Sequence, residues 1–300
     1  MNICVYGAGA IGTLFASFLS KRNKVICIAR KPQVDAVKRY GITISGKTSF
    51  QGSIPYFQSL QDMNGSPDLI LLTVKAFDTE KAAKDIAEYI SEDIPVLSLQ
   101  NGLNNCDVLL SYLTESQILA GITSHGALFM QPGVIKHTGI GKTCIGELDG
   151  KLSKRLRDLQ VLCIKSGLSV AMSTNIKKDI WRKGIVNASI NPLTAIFQCP
   201  NGYLLENPLL HDLVVRICEE STMIAQKNDV ELTVQDMFEY TFEVIQDTKE
   251  NHSSMLQSIR QKKRTEIDAI NGTLRSLGKN TDTSVFFNEL LTKVIHFMYG

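Results

Sequence analysis

Six residues near the N-terminus, Gly7-Ala8-Gly9-Ala10-Ile11-Gly12, restrict the fold more than any other part of the chain. They follow an apolar run, Asn2 to Tyr6, and open a helical run, Thr13 to Ser20. In that setting the first glycine permits a tight turn, the second lets a pyrophosphate approach the backbone, and the third lets helix and strand pack closely. The phosphates then sit on the helix N-terminus, where free N–H groups and the helix dipole favour an anion. The pattern therefore predicts a dinucleotide site built from Gly7, Ala8, Gly9, Ala10, Ile11 and Gly12. Residues 2–20 are uncharged, but three of them are glycines at a spacing that a membrane span does not need, and no basic segment precedes them. They read as the start of a βαβ unit rather than as a signal peptide.

The first half continues in the same style. Residues 24–29, 68–74, 95–99 and 118–122 are short apolar runs separated by helix-length segments, which predicts strands of a parallel sheet buried on both faces. Runs at 133–137 and 143–147, split by Gly139 and Gly141, read as a hairpin added to that sheet, and 167–172 as a last strand. After about residue 174 strand-like runs give way to helical periodicity. The expected organisation is α/β: a Rossmann-type doubly wound parallel sheet over 1–174, followed by an all-α domain over 175–300.

Bulk composition narrows the partners. The chain has 300 residues, 44% hydrophobic and 21% charged, which suits two globular domains without low-complexity segments. Its net charge of +2 and the short basic run from Arg260 to Arg264 give no basic face for nucleic acid. Seven widely spaced cysteines with no C-x-x-C pair argue against a zinc site and for a reducing compartment, so a cytoplasmic protein with no metal is expected.

The end of the second strand selects the cofactor. A carboxylate there suits the ribose hydroxyls of NAD, whereas Ala29-Arg30-Lys31 offers a guanidinium suited to the 2′-phosphate of NADP. Ligands of open parallel sheets lie beyond the carboxyl ends of strands, and two more strands end in polar residues there: one runs into Lys75, another into Gln100-Asn101-Gly102. Asn-Gly is also ordinary turn chemistry. Thr123-Ser124-His125 follows the next strand and is a further candidate, although a single histidine in a loop is more often structural.

The most informative segment of the second half is Asp179 to Pro192. On a helix, Lys183, Asn187 and Asn191 fall on one stripe at i, i+4 and i+8, flanked by Val186 and Ile190 on one side and Gly184 and Ala188 on the other, with Arg182 and Ser189 on the opposite face. A lysine and two amides set among aliphatic groups need polar partners, and a bound polar substrate is one. The alternatives are that Lys183 snorkels and that Asn191 caps a following helix with Pro192 at its first position. Ser254 and Gln257 read as a capping box, whose helix N-terminus also suits a carboxylate, and Glu266 offers a negative partner for Lys183.

At the level of motifs the chain resembles the ketopantoate reductase (2-dehydropantoate 2-reductase) family. The resemblance spans essentially the whole chain: GAGAIG (7–12), Arg30, VKAF (74–77), QNG (100–102), TSHG (123–126), WRKGIVNASINPLTAI (181–196), CPNG (199–202), ENHSSMLQSI (250–259) and RTEIDAINGTL (264–274). It implies a C-terminal domain like that of 6-phosphogluconate dehydrogenase and NADPH-dependent reduction of 2-dehydropantoate to (R)-pantoate, a step toward pantothenate and coenzyme A. On the family's pattern Lys183 is the general acid and Glu266 orients Lys183 and the substrate. Asn187 and Asn191 hold substrate hydroxyl and carbonyl groups, Ser254 binds the carboxylate, Asn101 sits between cofactor and substrate, and Lys75 lies near the cofactor. Asn201 falls on a recurrent position among the substrate residues. Arg30-Lys31 is more basic than the family needs.

Two other readings compete. One is a related β-hydroxyacid dehydrogenase acting on another small 2-keto acid; the other is a non-enzymatic NADP-binding sensor, which leaves the lysine stripe unexplained. No nucleic acid or membrane partner is expected. Phe286, Phe287 and Phe297 either form an interface, as in a homodimer, or close the helical core.

Overall fold

The computed structural model describes residues 1–299 and divides them into two compact units. The first comprises residues 1–100 and 105–176; the second comprises residues 101–104 and runs on from Lys177. The 101–104 segment thus packs with the C-terminal unit, where a single cut in the chain would have left it in the N-terminal one.

The first unit contains, in chain order, β1 (Asn2–Tyr6), α1 (Ala10–Leu19), β2 (Lys24–Ile28), α2 (Lys31–Tyr40), β3 (Ile42–Gly46), β4 (Phe50–Gly52), β5 (Tyr56–Phe57), β6 (Leu69–Leu72), α3 (Thr79–Tyr89), β7 (Val96–Ser98), α4 (Asn105–Leu110), β8 (Ile118–Thr123), β9 (Gly126–Gln131), β10 (Val134–Gly139), β11 (Thr143–Glu147), α5 (Lys154–Lys165) and β12 (Val170–Met172). The main sheet has the order β12-β11-β8-β7-β6-β1-β2-β5. Its pairs from β5 to β8 are all parallel, and β11 pairs antiparallel to β8. Both faces are covered: Ile3 and Val5 of β1 enter one core with Leu14 and Phe15, while Cys4 and Tyr6 enter another with Ile70 and Ile86. Double burial is why these strands read as continuous apolar runs. Strand order reverses between β1 and β6, which makes the crevice beyond their carboxyl ends a topological switch point.

The expected hairpin of 133–137 with 143–147 does not form. Residues 134–139 belong to a second sheet, β4-β3-β10-β9, in which β10 pairs antiparallel with β9 and parallel with β3. Residues 143–147 join the main sheet instead. The segment between them crosses from one sheet to the other, and Gly141 is required because a Cβ there would stand 2.2 Å from the carbonyl carbon of Ser124.

The second unit holds α6 (Ile176–Phe197, beginning at the boundary), α7 (Tyr203–Glu206), α8 (Pro208–Lys227), α9 (Val234–Asp247), α10 (Ser254–Arg260), a π-helical turn (Asp268–Gly272), α11 (Thr273–Asn280) and α12 (Phe286–Tyr299). Its core joins Trp181, Ile185 and Leu193 of α6 to Ile217, Met237, Ile270 and Leu291. Helix α6 has no broad solvent face: Ser189, expected opposite the apolar side, is fully buried and donates to Ile185 O over 2.9 Å. The helix also runs through Pro192 without a break, so Asn191 does not cap a following helix. Phe287 packs on the helical core, whereas Phe286 and Phe297 are exposed. No helix among the described residues is long and apolar enough to cross a membrane.

Candidate active site

The glycine turn begins where β1 ends. Gly7 N and Ala8 N both donate to Ile28 O over 3.0 Å, tying the turn to β2. Gly7 adopts φ +104°, a region open to glycine, and a Cβ there would lie 2.5 Å from Val74 N. At Gly12 a Cβ would meet Thr73 Oγ1 at 2.5 Å and Gly7 O at 2.6 Å, so helix and strand approach closely. Gly9 differs. It is exposed, the nearest atom to its hypothetical Cβ is 4.0 Å away, and no side chain caps the helix it opens. Uncapped N–H groups facing open space beside a backbone without side chain form a cradle that fits a pyrophosphate.

Arg30 is the N-cap residue of α2, and its Nη2 donates to Asp78 Oδ2 over 2.8 Å, which points the guanidinium across the switch point while leaving it mostly exposed. Lys31 is drawn away to Asp35 on its own helix, 2.8 Å distant. Of the two basic residues Arg30 is therefore the one held beside the cofactor crevice. Lys75 follows β6 as an exposed residue at the edge of the same crevice.

In the second unit Lys183, half-buried on α6, donates from Nζ to Asn101 Oδ1 over 2.7 Å. The Asn101 loop is fixed by Leu103, whose N–H donates to Ala269 O over 3.1 Å and whose side chain fills the space above Gly184, where a Cβ would meet Leu103 Cδ2 at 2.4 Å. Asn187 and Asn191 follow on the same stripe, half-buried and buried. Asn191, Ser254, Met255, Ser258, Glu266 and Ile270 line a cleft. Asn191, the last residue of the stripe, thus shares a cleft with a hydroxyl and a buried carboxylate, while Val186 and Ile190 flank the stripe.

Some residues occupy places that the sequence does not predict. Ser253, not Ser254, caps α10, accepting from Leu256 N over 3.1 Å. Ser254 is the first residue of the helix and keeps its position on the cleft. Asn201 is buried and is not among the residues lining that cleft; its Nδ2 donates to Thr248 Oγ1 over 2.9 Å, and its Oδ1 has no partner among the described residues. His125 is a core residue: its Nδ1 lies 3.1 Å from His137 Nε2, with Phe15 and Phe18 against the ring. Burial, with His137 as second cause, pushes its pKa down to about 4.

Comparison with known proteins places these features in a lineage. Residues 3–150 match the family model described as ketopantoate reductase PanE/ApbA, and residues 175–299 match the model of that family's C-terminal domain. The chain belongs to the ketopantoate reductase PanE/ApbA family. It is 33% identical to the 2-dehydropantoate 2-reductase of Pyrococcus abyssi over 98% of this chain and 97% of that one. A solved PanE/ApbA family ketopantoate reductase from Ralstonia eutropha superposes with a TM-score of 0.91 at 27% identity, covering 100% of this chain and 98% of that one. A ternary structure of D-mandelate dehydrogenase with NADH and anilino(oxo)acetate gives a TM-score of 0.93 at 29% identity, covering 99% and 97%.

In this member of the PanE/ApbA family two residues of the cofactor crevice lie outside the motifs read from the sequence. Thr73 Oγ1 donates to Gly7 O over 3.0 Å and braces the glycine turn from β6, and Asp78 orients Arg30. The signal for both is positional, since each follows the strand that flanks β1 at the switch point.

Proposed function

We propose that this protein is a 2-dehydropantoate 2-reductase that uses NADPH and forms (R)-pantoate. NADPH, when bound, supplies the hydride that adds to the C2 carbonyl carbon. The chain's own residues bind, orient and protonate. Gly7 to Gly12 receive the pyrophosphate on the N-terminus of α1, Arg30 meets the 2′-phosphate, and Lys75 lies near the cofactor.

Lys183 acts on the ketone oxygen. As the carbonyl carbon is reduced, negative charge grows on that oxygen; the ammonium stabilises it and then gives up a proton from Nζ, leaving an alcohol and a neutral amine that solvent reprotonates. Asn101 holds the ammonium through its Oδ1. Glu266 orients Lys183 and the substrate, Asn187 and Asn191 hold hydroxyl and carbonyl groups, and Ser254 takes the carboxylate, with Asn201 as a further substrate residue. The observation that carries this reading is the 2.7 Å contact of Lys183 Nζ with Asn101 Oδ1 at one end of a polar stripe flanked by the buried Val186 and Ile190. Seven free cysteines suit a reducing cytoplasm.

The test is to follow NADPH absorbance on adding 2-dehydropantoate, with NADH as the comparison. Rapid oxidation of NADPH and slow oxidation of NADH is the expected result; no turnover with either overturns the substrate. The likeness to D-mandelate dehydrogenase favours a second reading, an NADH-linked reductase of another 2-keto acid. It predicts faster turnover of the keto acid corresponding to mandelate, with NADH preferred.

A further inference from the structure

Helix α6 carries a proline in its interior, and the consequence falls on one carbonyl. Pro192 has no N–H, so the carbonyl four residues earlier, that of Ala188, loses its regular α-helical donor. Ala188 is fully buried, where an unmet carbonyl is costly. The missing donor comes from the π-helical turn: Asn271 Nδ2 donates to Ala188 O over 3.2 Å.

The same Asn271 amide is held from behind. Its Nδ2 also donates to Asn288 Oδ1 over 3.0 Å, and Asn288 Nδ2 donates in turn to Glu220 Oε1 over 2.9 Å and to Ser221 Oγ over 3.1 Å. Glu220, buried in α8, further accepts from the backbone N–H groups of Phe287 and Asn288 at the start of α12. Three fully or nearly buried polar side chains thus run from α8 through α12 to the π-helical turn and end on α6. Two oxygens accepting at Asn271 Nδ2 fix which way the amide faces, and its Oδ1 is left without a donor among the described residues.

This turn is also the junction of the proposed catalytic parts. Ala269 N and Ile270 N donate to Glu266 O over 3.1 and 3.2 Å, so the turn begins on the carboxylate-bearing residue. Ala269 O accepts from Leu103 N in the loop that presents Asn101 to Lys183. Ala188 directly follows Asn187 and flanks the stripe that carries Asn187 and Asn191. We propose that Asn271 is a positioning residue that sets the register of Glu266 and the Asn101 loop against Lys183, Asn187 and Asn191 through the carbonyl that Pro192 leaves open. The inference rests on the reductase reading above and adds a residue to which no substrate contact is assigned. The π-helical turn is an infrequent geometry, and this role accounts for its place beside the site.

The experiment compares Asn271→Ala, Pro192→Ala and the double variant with the wild type, reading kcat, KM for the keto acid, the NADPH dissociation constant and the melting temperature. Pro192→Ala returns a backbone donor to the Ala188 carbonyl but does not tie α6 to the turn. A positioning role therefore separates the two readouts. Asn271→Ala lowers kcat about ten- to a hundredfold in both backgrounds, since small misplacement of reacting groups suffices for that loss. Its melting-temperature loss, in contrast, is smaller in the Pro192→Ala background, and NADPH affinity stays within about twofold throughout because the glycine turn is untouched. A kcat within about twofold of the wild type, or a kcat loss that disappears together with the melting-temperature loss when Pro192 is replaced, overturns the proposal in favour of plain carbonyl satisfaction. If Asn271→Ala does not fold alone, the double variant against Pro192→Ala makes the same comparison, since the carbonyl then has its donor. Each result is a ratio between variants on whichever 2-keto acid the wild type reduces, so a wild type inert toward 2-dehydropantoate overturns the substrate and leaves this test standing.

Discussion

Lys183 Nζ donates to Asn101 Oδ1 over 2.7 Å, joining a helix residue to a loop residue 82 positions away in sequence. A contact of that length fixes the direction of the ammonium before any ketone arrives. Removing the acid itself by Lys183→Ala is expected to lower kcat about 10²–10⁴-fold. Asn101→Ala leaves the amine in place but unoriented, so a smaller loss, about tenfold, is expected. Lys183→Ala should bind NADPH as the wild type does in a fluorescence titration. Wild-type turnover by Lys183→Ala removes the proposed acid.

Arg30 is shared between Asp78 and the phosphate proposed for it. A guanidinium has five donors in a planar fork and can serve both partners; a lysine at the same place must choose. Arg30→Ala is expected to raise KM for NADPH about tenfold or more, as loss of a charged hydrogen bond would. Arg30→Lys should lie between that variant and the wild type. KM for NADH should move little in either. Parallel changes with both cofactors would show that Arg30 does not read the 2′-phosphate.

Gly9 and Gly12 of the turn should respond differently to alanine. At Gly9 the added methyl enters open space, so Gly9→Ala is expected to melt near the wild-type temperature while binding NADPH at least about tenfold more weakly, because the methyl occupies the phosphate's approach. At Gly12 the methyl meets Thr73 Oγ1 and the Gly7 carbonyl at under 3 Å, so Gly12→Ala should lose stability by about 1–3 kcal/mol as overpacking does. Calorimetry and cofactor titration on the two proteins separate the roles; equal melting temperatures would refute the packing argument.

How far the sequence discloses this molecule depends on how one-sided each element is. Strands β1, β6, β7 and β8 are buried on both faces, and their unbroken apolar runs announce it. Strands β3 and β4 carry no such run, because they belong to a small sheet whose residues are half exposed; β9 has four apolar residues in a row, Ala127 to Met130, but they are half-buried or exposed, and the sequence predicts no strand there. The Lys183 stripe is visible from spacing. Its surroundings are not, since a helix with no broad solvent face offers little contrast to orient it, and Ser189, which the spacing puts opposite the apolar side, is fully buried. Asp78 and Asn271 escape detection for a different reason: each acts on a partner 48 or 83 residues away, and no local pattern encodes such a pairing.

Acid should weaken the first unit through His125 and His137. Gly141 N donates to His125 Nδ1 over 3.3 Å, so that nitrogen is unprotonated, and His137 Nε2, 2.8 Å from Gly139 O and 3.1 Å from His125 Nδ1, carries the proton between them. Thr48 Oγ1 completes the set at His137 Nδ1, and the rings of Phe15 and Phe18 close it from α1. Protonating His125 Nδ1 would turn a hydrogen bond into an opposition of donors. Accordingly burial, then the His137 neighbour, pushes the His125 pKa down to about 4, and burial lowers that of His137 as well. In the unfolded chain both titrate near an ordinary histidine value of about 6.5. Between those limits the unfolded chain binds protons that the folded chain refuses, so stability falls as pH drops from about 6.5 toward 4. Melting temperatures taken across that window should decline in the wild type and decline less steeply in His125→Gln, which removes one of the two depressed sites. Identical slopes for the two proteins would mean that the histidine pair does not carry the acid sensitivity.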